Sequence, residues 1–350
     1  MSERIPTPHA PRPTSPRIVE RVLFIGPSNI GDAILAAGVV AALRAQHPDA
    51  HLTLVVGERA QALFVGDPRI QTLVNTDGFS SPVGRLRLAL SLWRYQPQVV
   101  VDLRHTLYPL LLKPLTAWRY LRQPPRRVVH MRDRHLWKLR TQVPSPAESS
   151  NGALWLSPKD IAHVEQLLKR WRLDPAKPLV VICPGARSHI KRWTAEGFAT
   201  VADRLIAEAG ASVVFCGEPD EEVVIEEVLT SMHQPAHNAV GLTTIRQAAT
   251  LMQRAALVIT NDSASLHLAS ALNVPTVAIF GPTDVHKYGP TAPQHRTIRR
   301  QLFCSPCEQA LCRFNHECMR FIAPQEVYDA ALQLLGQGAG DVGRGDRKTR

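Results

Sequence analysis

The segment Asn261-Asp262-Ser263-Ala264-Ser265-Leu266-His267 gathers an acid, hydroxyls and an imidazole between two apolar runs, at 256–259 and 275–280. Two buried strands bracketing a short helix is the simplest reading. In an open parallel sheet, ligands collect at the carboxyl ends of strands, and the exposed N–H groups of a helix start bind phosphate. Asp262, Ser263 and His267 are therefore a candidate phosphate-and-sugar site. A single His on an Ala/Leu-rich helix is ordinarily a satisfied core residue, but an acid and a hydroxyl beside it favour a site.

Three further groups have the types and places for chemistry. Asp32 closes the loop Gly26-Pro27-Ser28-Asn29-Ile30-Gly31 after a first apolar run, with the two glycines expected to let the backbone turn. It could take a proton from an acceptor hydroxyl as general base, or simply cap the helix that follows. No Gly-Lys-Ser/Thr and no GxGxxG is present there, which removes the main support for kinase and dehydrogenase readings. Arg187, Lys191 and Arg192 follow another apolar run and precede a helix with Thr194 as its cap. Cations there can neutralise a diphosphate leaving group, or form only a solvated basic loop. Trp193 reads as a packing anchor. Glu218, Asp220, Glu221 and Glu222 lie just past a strand end, where an acid can accept from ribose hydroxyls, although most of them suit the first turn of a helix equally well.

Four of the six cysteines cluster at Cys304, Cys307, Cys312 and Cys318. In a cytosolic protein such spacing reads as a structural Zn or Fe site more readily than as disulfides. Free thiols or an opportunistic disulfide stay open, and four thiolates would leave no open position for catalysis.

Strands alternating with helices must position these groups. Apolar runs at 21–25, 52–56, 71–74, 99–103 and 127–130 alternate with helical stretches such as 33–46 and 84–95. A Pro/Ser/Glu-rich stretch at 142–151 reads as a linker. The alternation restarts with a helix at 158–171, then strands at 179–183, 212–215, 257–260 and 276–280 separated by helices at 195–209, 221–232, 244–255 and 263–272. This is an α/β pattern of βαβ units, and each half reads as a doubly wound parallel sheet. The expected division is a leader at 1–19, one domain at 20–150, a second at 151–335 carrying the cysteines, and a disordered tail at 336–350.

With 350 residues, 45% hydrophobic and 20% charged, the chain suits two globular domains. No apolar run is long enough to cross a bilayer, and the proline-rich first nineteen residues carry no export signal. A cytoplasmic protein is expected. Its net charge is +11, and 85–140 alone holds thirteen Lys and Arg against Asp102 and Asp133. That field calls for a polyanionic partner, such as a phosphorylated lipid, a nucleic acid or an anionic membrane face, unless it is only a solvated surface. Nucleic acid is disfavoured by 6% aromatic content and the lack of a stacking motif.

From Arg21 to Leu335 the sequence resembles glycosyltransferase family 9, the heptosyltransferases of lipopolysaccharide core assembly. Ser28-Asn29-Ile30-Gly31-Asp32, Lys191-Arg192-Trp193, Asn261-Asp262-Ser263 through His267, and Phe280-Gly281-Pro282-Thr283-Asp284 carry the resemblance, in order. It implies the GT-B architecture, two Rossmann-like domains facing across a cleft, with inverting transfer from an ADP-heptose donor and no cofactor required for catalysis. On that likeness Asp32 is the general base. Lys191 holds the diphosphate, Glu221 the ribose, and Asp262, Ser263 and His267 the sugar and phosphates. The acceptor would be a core or similar anionic glycolipid bound by the basic first half, at the inner membrane face. Thr194 stands where the family usually has Pro, and Ala264 where Gly is common. An epimerase or hydrolase acting on a nucleotide sugar, or use of another nucleotide-sugar donor, is the competing expectation.

Overall fold

The computed structural model describes residues 19–143, 154–291 and 294–342. Its strands are β1 Arg21–Ile25, β2 His51–Val56, β3 Thr72–Asn75, β4 Val99–Asp102, β5 Leu179–Cys183, β6 Ser212–Phe215, β7 His237–Asn238, β8 Leu257–Asn261, β9 Thr276–Phe280 and β10 His295–Arg299. They form two sheets, ordered β3-β2-β1-β4 and β10-β9-β8-β5-β6-β7, with every pairing parallel. The central strands, such as β5 and β9, read as nearly unbroken apolar runs because helices cover both faces.

Side chains alternate across each strand, so a single run feeds two cores. Val22 and Phe24 pack on the helix Ile30–Gln46, whereas Leu23 and Ile25 join Leu88, Leu92 and Tyr120 on the opposite face. The first of these cores continues into the second sheet through Val181, Val214 and Val258. Helix Ile30–Gln46 lies against helix Ala264–Ala271, one from each half. The outer face of the second sheet is closed by Ala195–Ala207 and the long last helix, Pro324–Val342.

The switch points of the two strand orders locate the loops that matter. In the first sheet β1 pairs with β2 on one side and β4 on the other; in the second, β5 lies between β6 and β8. The loops leaving β1 and β4, and those leaving β5 and β8, therefore diverge and leave crevices at the strand ends.

Four features differ from the sequence reading. No strand forms at 127–130, which runs as turn and coil into the helix Met131–Gln142. The β4 edge where it would pair is occupied by side chains: Gln142 bonds both the N–H and the carbonyl of Asp102, at 2.8 and 3.0 Å. Tyr120 Oη donates to the Val100 carbonyl and Lys138 Nζ to that of Leu103. Conversely β7 and β10 are additional and polar, as suits edges, and β7 spans only two residues. The last helix continues to Val342, into the stretch expected as a tail. The leader expected at 1–19, apart from Val19, and most of the linker expected at 142–151 lie outside the described residues.

Candidate active site

Asp32 is the third residue of the helix Ile30–Gln46, and Asn29 takes the N-cap position. It is thus not the cap itself but an acid in the first turn, where the helix dipole favours negative charge. Burial raises its carboxyl above the usual carboxylate range, partly offset by a hydrogen bond with the Asn29 side chain and by the charge of Lys191. Neither Gly26 nor Gly31 has a positive φ. The tight space at Gly31 comes instead from helix approach, since a Cβ there would lie 3.1 Å from the ring of His267.

Across the cleft, the loops leaving β5 and β8 are tied into one unit. Asn261, fully buried, accepts from the Trp193 N–H at 3.1 Å and donates to the Pro184 carbonyl at 2.7 Å. Lys191 Nζ donates to Asp262 Oδ2 at 2.7 Å, and Thr283 Oγ1 donates to the same oxygen at 2.6 Å. Asp262 is buried and Lys191 half-buried, so this ion pair fixes the ammonium more firmly than a surface pair would. Thr194 caps the next helix by accepting from Gly197 N, and Trp193 is buried edge-on against Phe198. Arg192 Nε donates to the Ala186 carbonyl, closing the basic loop on itself.

Ser263 precedes helix Ala264–Ala271, yet its hydroxyl makes no cap bond and instead meets Thr260 Oγ1 at 3.3 Å. The helix start is left open to an anion. His267, one turn along, is buried and its pKa is lowered to about 4, chiefly by desolvation. At neutral pH it is an uncharged imidazole. Glu221 accepts from the Glu218 N–H at 3.0 Å and is held above its ordinary pKa, first by burial. Gly185 leaves room for this placement, since a Cβ there would come within 2.2 Å of the Glu221 carboxyl carbon and displace the side chain. Glu218 lines the same cavity and pairs there with Arg59 of the first half.

All seven residues singled out in the sequence, Asp32, Arg187, Lys191, Glu221, Asp262, Ser263 and His267, line one cavity of about 1050 Å³ between the halves. A second cavity of about 650 Å³ opens at the β1/β4 switch point, lined by Arg104, Arg134, Lys138, Lys287 and His135 among others. Asn29, Asp32 and Tyr288 line both. In the second cavity, buried Asp102 accepts from Arg104 N, Thr106 N and Thr106 Oγ1, which shapes the turn that presents Arg104. Lys138 has its pKa lowered to about 8 by burial. His135 is buried with its pKa lowered to about 4, again by desolvation, and neither ring nitrogen finds a partner among the described residues. Sequence reasoning passed over His135 and Tyr288, and gave no role to Asn261 and Thr283 although both stand in the quoted motifs. The residue that could have been found is Asn261, since an Asn at the end of a fully apolar strand must have its amide satisfied.

The four clustered cysteines face one small cavity of about 60 Å³. The Cys312 sulfur accepts from the N–H groups of Phe314 and His316, both at 3.3 Å. Burial pushes the Cys318 thiol up to about 11, with the other three sulfurs adding to the rise. Among the described residues, however, no three His, Cys, Asp or Glu side chains converge closely enough to hold a metal ion. The thiols are free and surround a space without closing on it.

Two parallel-sheet halves whose switch points open onto one cleft are the GT-B architecture. Residues 118–317 match the sequence model of glycosyltransferase family 9 (heptosyltransferase). The chain belongs to that family. It is 32% identical over 190 residues to lipooligosaccharide heptosyltransferase 2 of Campylobacter jejuni, a match covering 50% of this chain and 59% of that relative. With lipopolysaccharide heptosyltransferase 2 of Salmonella typhimurium it shares 25% identity over 350 residues, covering 91% of this chain and 99% of the other. The structure of the ADP-heptose lipopolysaccharide heptosyltransferase II of Escherichia coli superposes with a TM-score of 0.71 at 23% identity, covering 91% of this chain and all of that one.

Proposed function

We propose that this glycosyltransferase moves a heptose from ADP-heptose, with inversion, onto a lipopolysaccharide core or similar anionic glycolipid. The observation that carries the reading is Asp32 in the wall shared by the two cavities. The larger cavity takes the nucleotide sugar within 151–335, and the smaller, basic one takes the acceptor within 20–150.

In this reading an acceptor hydroxyl enters from the smaller cavity and gives its proton to Asp32 as its oxygen attacks the anomeric carbon. The bond from that carbon to the diphosphate breaks on the opposite face, and ADP leaves with the electron pair. A single displacement inverts the anomeric centre. Lys191 and Arg187 oppose the charge that grows on the leaving oxygen, and the open helix start at Ser263 receives a phosphate oxygen. Neutral His267 donates or accepts one hydrogen bond without adding charge, and Glu221 accepts from the ribose hydroxyls. Asp262 acts by holding Lys191 in place. A carboxyl raised by burial is a stronger base than an ordinary one, and so better matched to a hydroxyl.

The relatives named above are lipopolysaccharide or lipooligosaccharide heptosyltransferases, which supports heptose and a core acceptor. A nucleotide-sugar hydrolase or epimerase would have no use for a second cation-lined cavity. Incubation with ADP-heptose should release ADP only when a core acceptor is added. ADP release at the same rate without acceptor would overturn transfer in favour of hydrolysis.

No helix among the described residues is long and apolar enough to cross a membrane. The proposed location is cytoplasmic, peripheral on the inner face of the cytoplasmic membrane, where the cations of 85–140 meet anionic headgroups. The cysteine group belongs to the same proposal as a structural Zn or Fe site, supported by the four cysteines facing one small cavity. Elemental analysis of purified protein should find one metal per chain, and metal-free protein with full stability and activity would remove that part.

A further inference from the structure

Helix Pro82–Tyr95 buries Leu88, Ala89 and Leu92 but turns a second apolar stripe outward. Val83, Leu86, Leu90 and Trp93, spaced three and four residues apart, are each half or more exposed. That spacing places them on one face of the helix. Tyr108–Leu112 packs against this helix and continues as a broken helical run through Pro114–Thr116 and Trp118–Leu121. It is anchored inward by Leu112 and Tyr120, which join the same buried cluster. Outward it presents Leu107, Leu111, Leu115, Trp118 and Leu121, with Leu115 94% and Leu107 72% exposed. Large apolar side chains gathered this densely on a surface mark an interaction site.

The charges around them choose the partner. Arg85, Arg87, Arg94, Lys113, Arg119 and Arg122 are interleaved with the apolar positions. The one acid from 81 to 130 is Asp102, which is buried. Apolar side chains with Trp among them, set in a cationic field, suit the boundary between anionic headgroups and acyl chains. The apolar segment begins two residues after His105, which lines the smaller cavity, and exposed Val129 both lines that cavity and lies beyond the segment. The chain at 105–107 thus leads from the rim of the cavity into this apolar segment.

We propose that the face formed by Pro82–Tyr95 and residues 107–121 inserts its leucines and tryptophans into an anionic lipid bilayer, and so sets the mouth of the smaller cavity against the membrane to receive a lipid-anchored acceptor. The second clause rests on the transferase reading; the insertion does not. Attraction by charge alone would hold the protein at the surface and fail in high salt. Insertion adds an apolar component that salt does not screen.

The test uses the full chain with vesicles of phosphatidylcholine and phosphatidylglycerol, brominated or not. Wild type should float with the vesicles, keep part of its binding in high salt, and have its tryptophan emission quenched by brominated lipid. Leu111→Glu/Leu115→Glu should lose about tenfold or more in vesicle affinity. It should transfer to a lipid-free acceptor at the wild-type rate while losing transfer to the acceptor embedded in vesicles. Vesicle binding unchanged in the double variant, or binding abolished by salt with no quenching, would overturn the insertion. Dimers of the wild type that the double variant dissolves would assign the face to a second copy instead. Wild type that binds vesicles but transfers to neither acceptor would sink the transferase reading and leave the insertion standing.

Discussion

The two cavities that meet at Asp32 are built in opposite ways. On the donor side the polar groups already satisfy one another: Lys191 with Asp262, Asp262 with Thr283, Asn261 with Trp193 and Pro184, Glu221 with Glu218. On the proposed acceptor side Arg104, Arg134 and Lys287 have partners of their own in Thr76, the Val128 carbonyl and Glu308, while a buried His135 lining the same cavity has ring nitrogens unpartnered among the described residues. A pre-tied network holds donors where charge will grow and requires no rearrangement during reaction. An unsatisfied buried imidazole costs stability until a ligand reaches it. The contrast suggests a donor pocket fixed before binding and an acceptor pocket completed by its substrate.

Substitutions on each side should therefore fail differently. Asp32→Asn, at the junction, should lower kcat by about 10³-fold, within the usual reach of general-base catalysis. Its carboxyl is raised in the folded state, so holding it ionised there costs stability at neutral pH. Removing it should therefore raise Tm at neutral pH, and inactivity accompanied by a fall in Tm would indicate structural damage instead. Lys191→Ala should cut kcat/KM for the donor by about 10²-fold and leave buried Asp262 without its cation. Equal loss for donor and acceptor KM would break the division between the cavities. His135→Gln should raise acceptor KM by about five- to tenfold, the worth of one hydrogen bond, with donor KM unchanged.

The smallest effect is a pH dependence of stability. His135, His267 and His295 are each lowered to about 4 from 6.5, mainly by burial. Between those values the unfolded chain binds protons that the folded chain does not, so stability falls as pH drops from 6.5 towards 4. His295 lies on β10 and lines neither cavity. His295→Phe should make the Tm profile shallower in that window with unchanged turnover at neutral pH. An unaltered slope would place the acid sensitivity elsewhere.

The donor side was readable because its chemistry is local in sequence. Strand, turn and helix follow one another at 257–271, and the apolar runs of β5, β8 and β9 fix which residues stand at strand ends. The acceptor side was not. Its groups come from the ends of β1 and β4, from helix Met131–Gln142 and from Lys287 in the other half, and no spacing joins them. The basic stretch was visible as charge, yet its exposed apolar stripe could not be told from a core stripe by periodicity alone. The strand expected at 127–130 failed for a similar reason. Val128 and Val129 look like a strand, but side chains of Tyr120, Lys138 and Gln142 reach the β4 edge first.

The account depends on one carboxylate serving two pockets, and calorimetric titration of Asp32→Asn with ADP-heptose, paired with single-turnover transfer, tests that most directly. Donor affinity within about twofold of wild type alongside a transfer step slowed by about 10³-fold is the expected result. Weakened donor binding with an undiminished transfer step would contradict it.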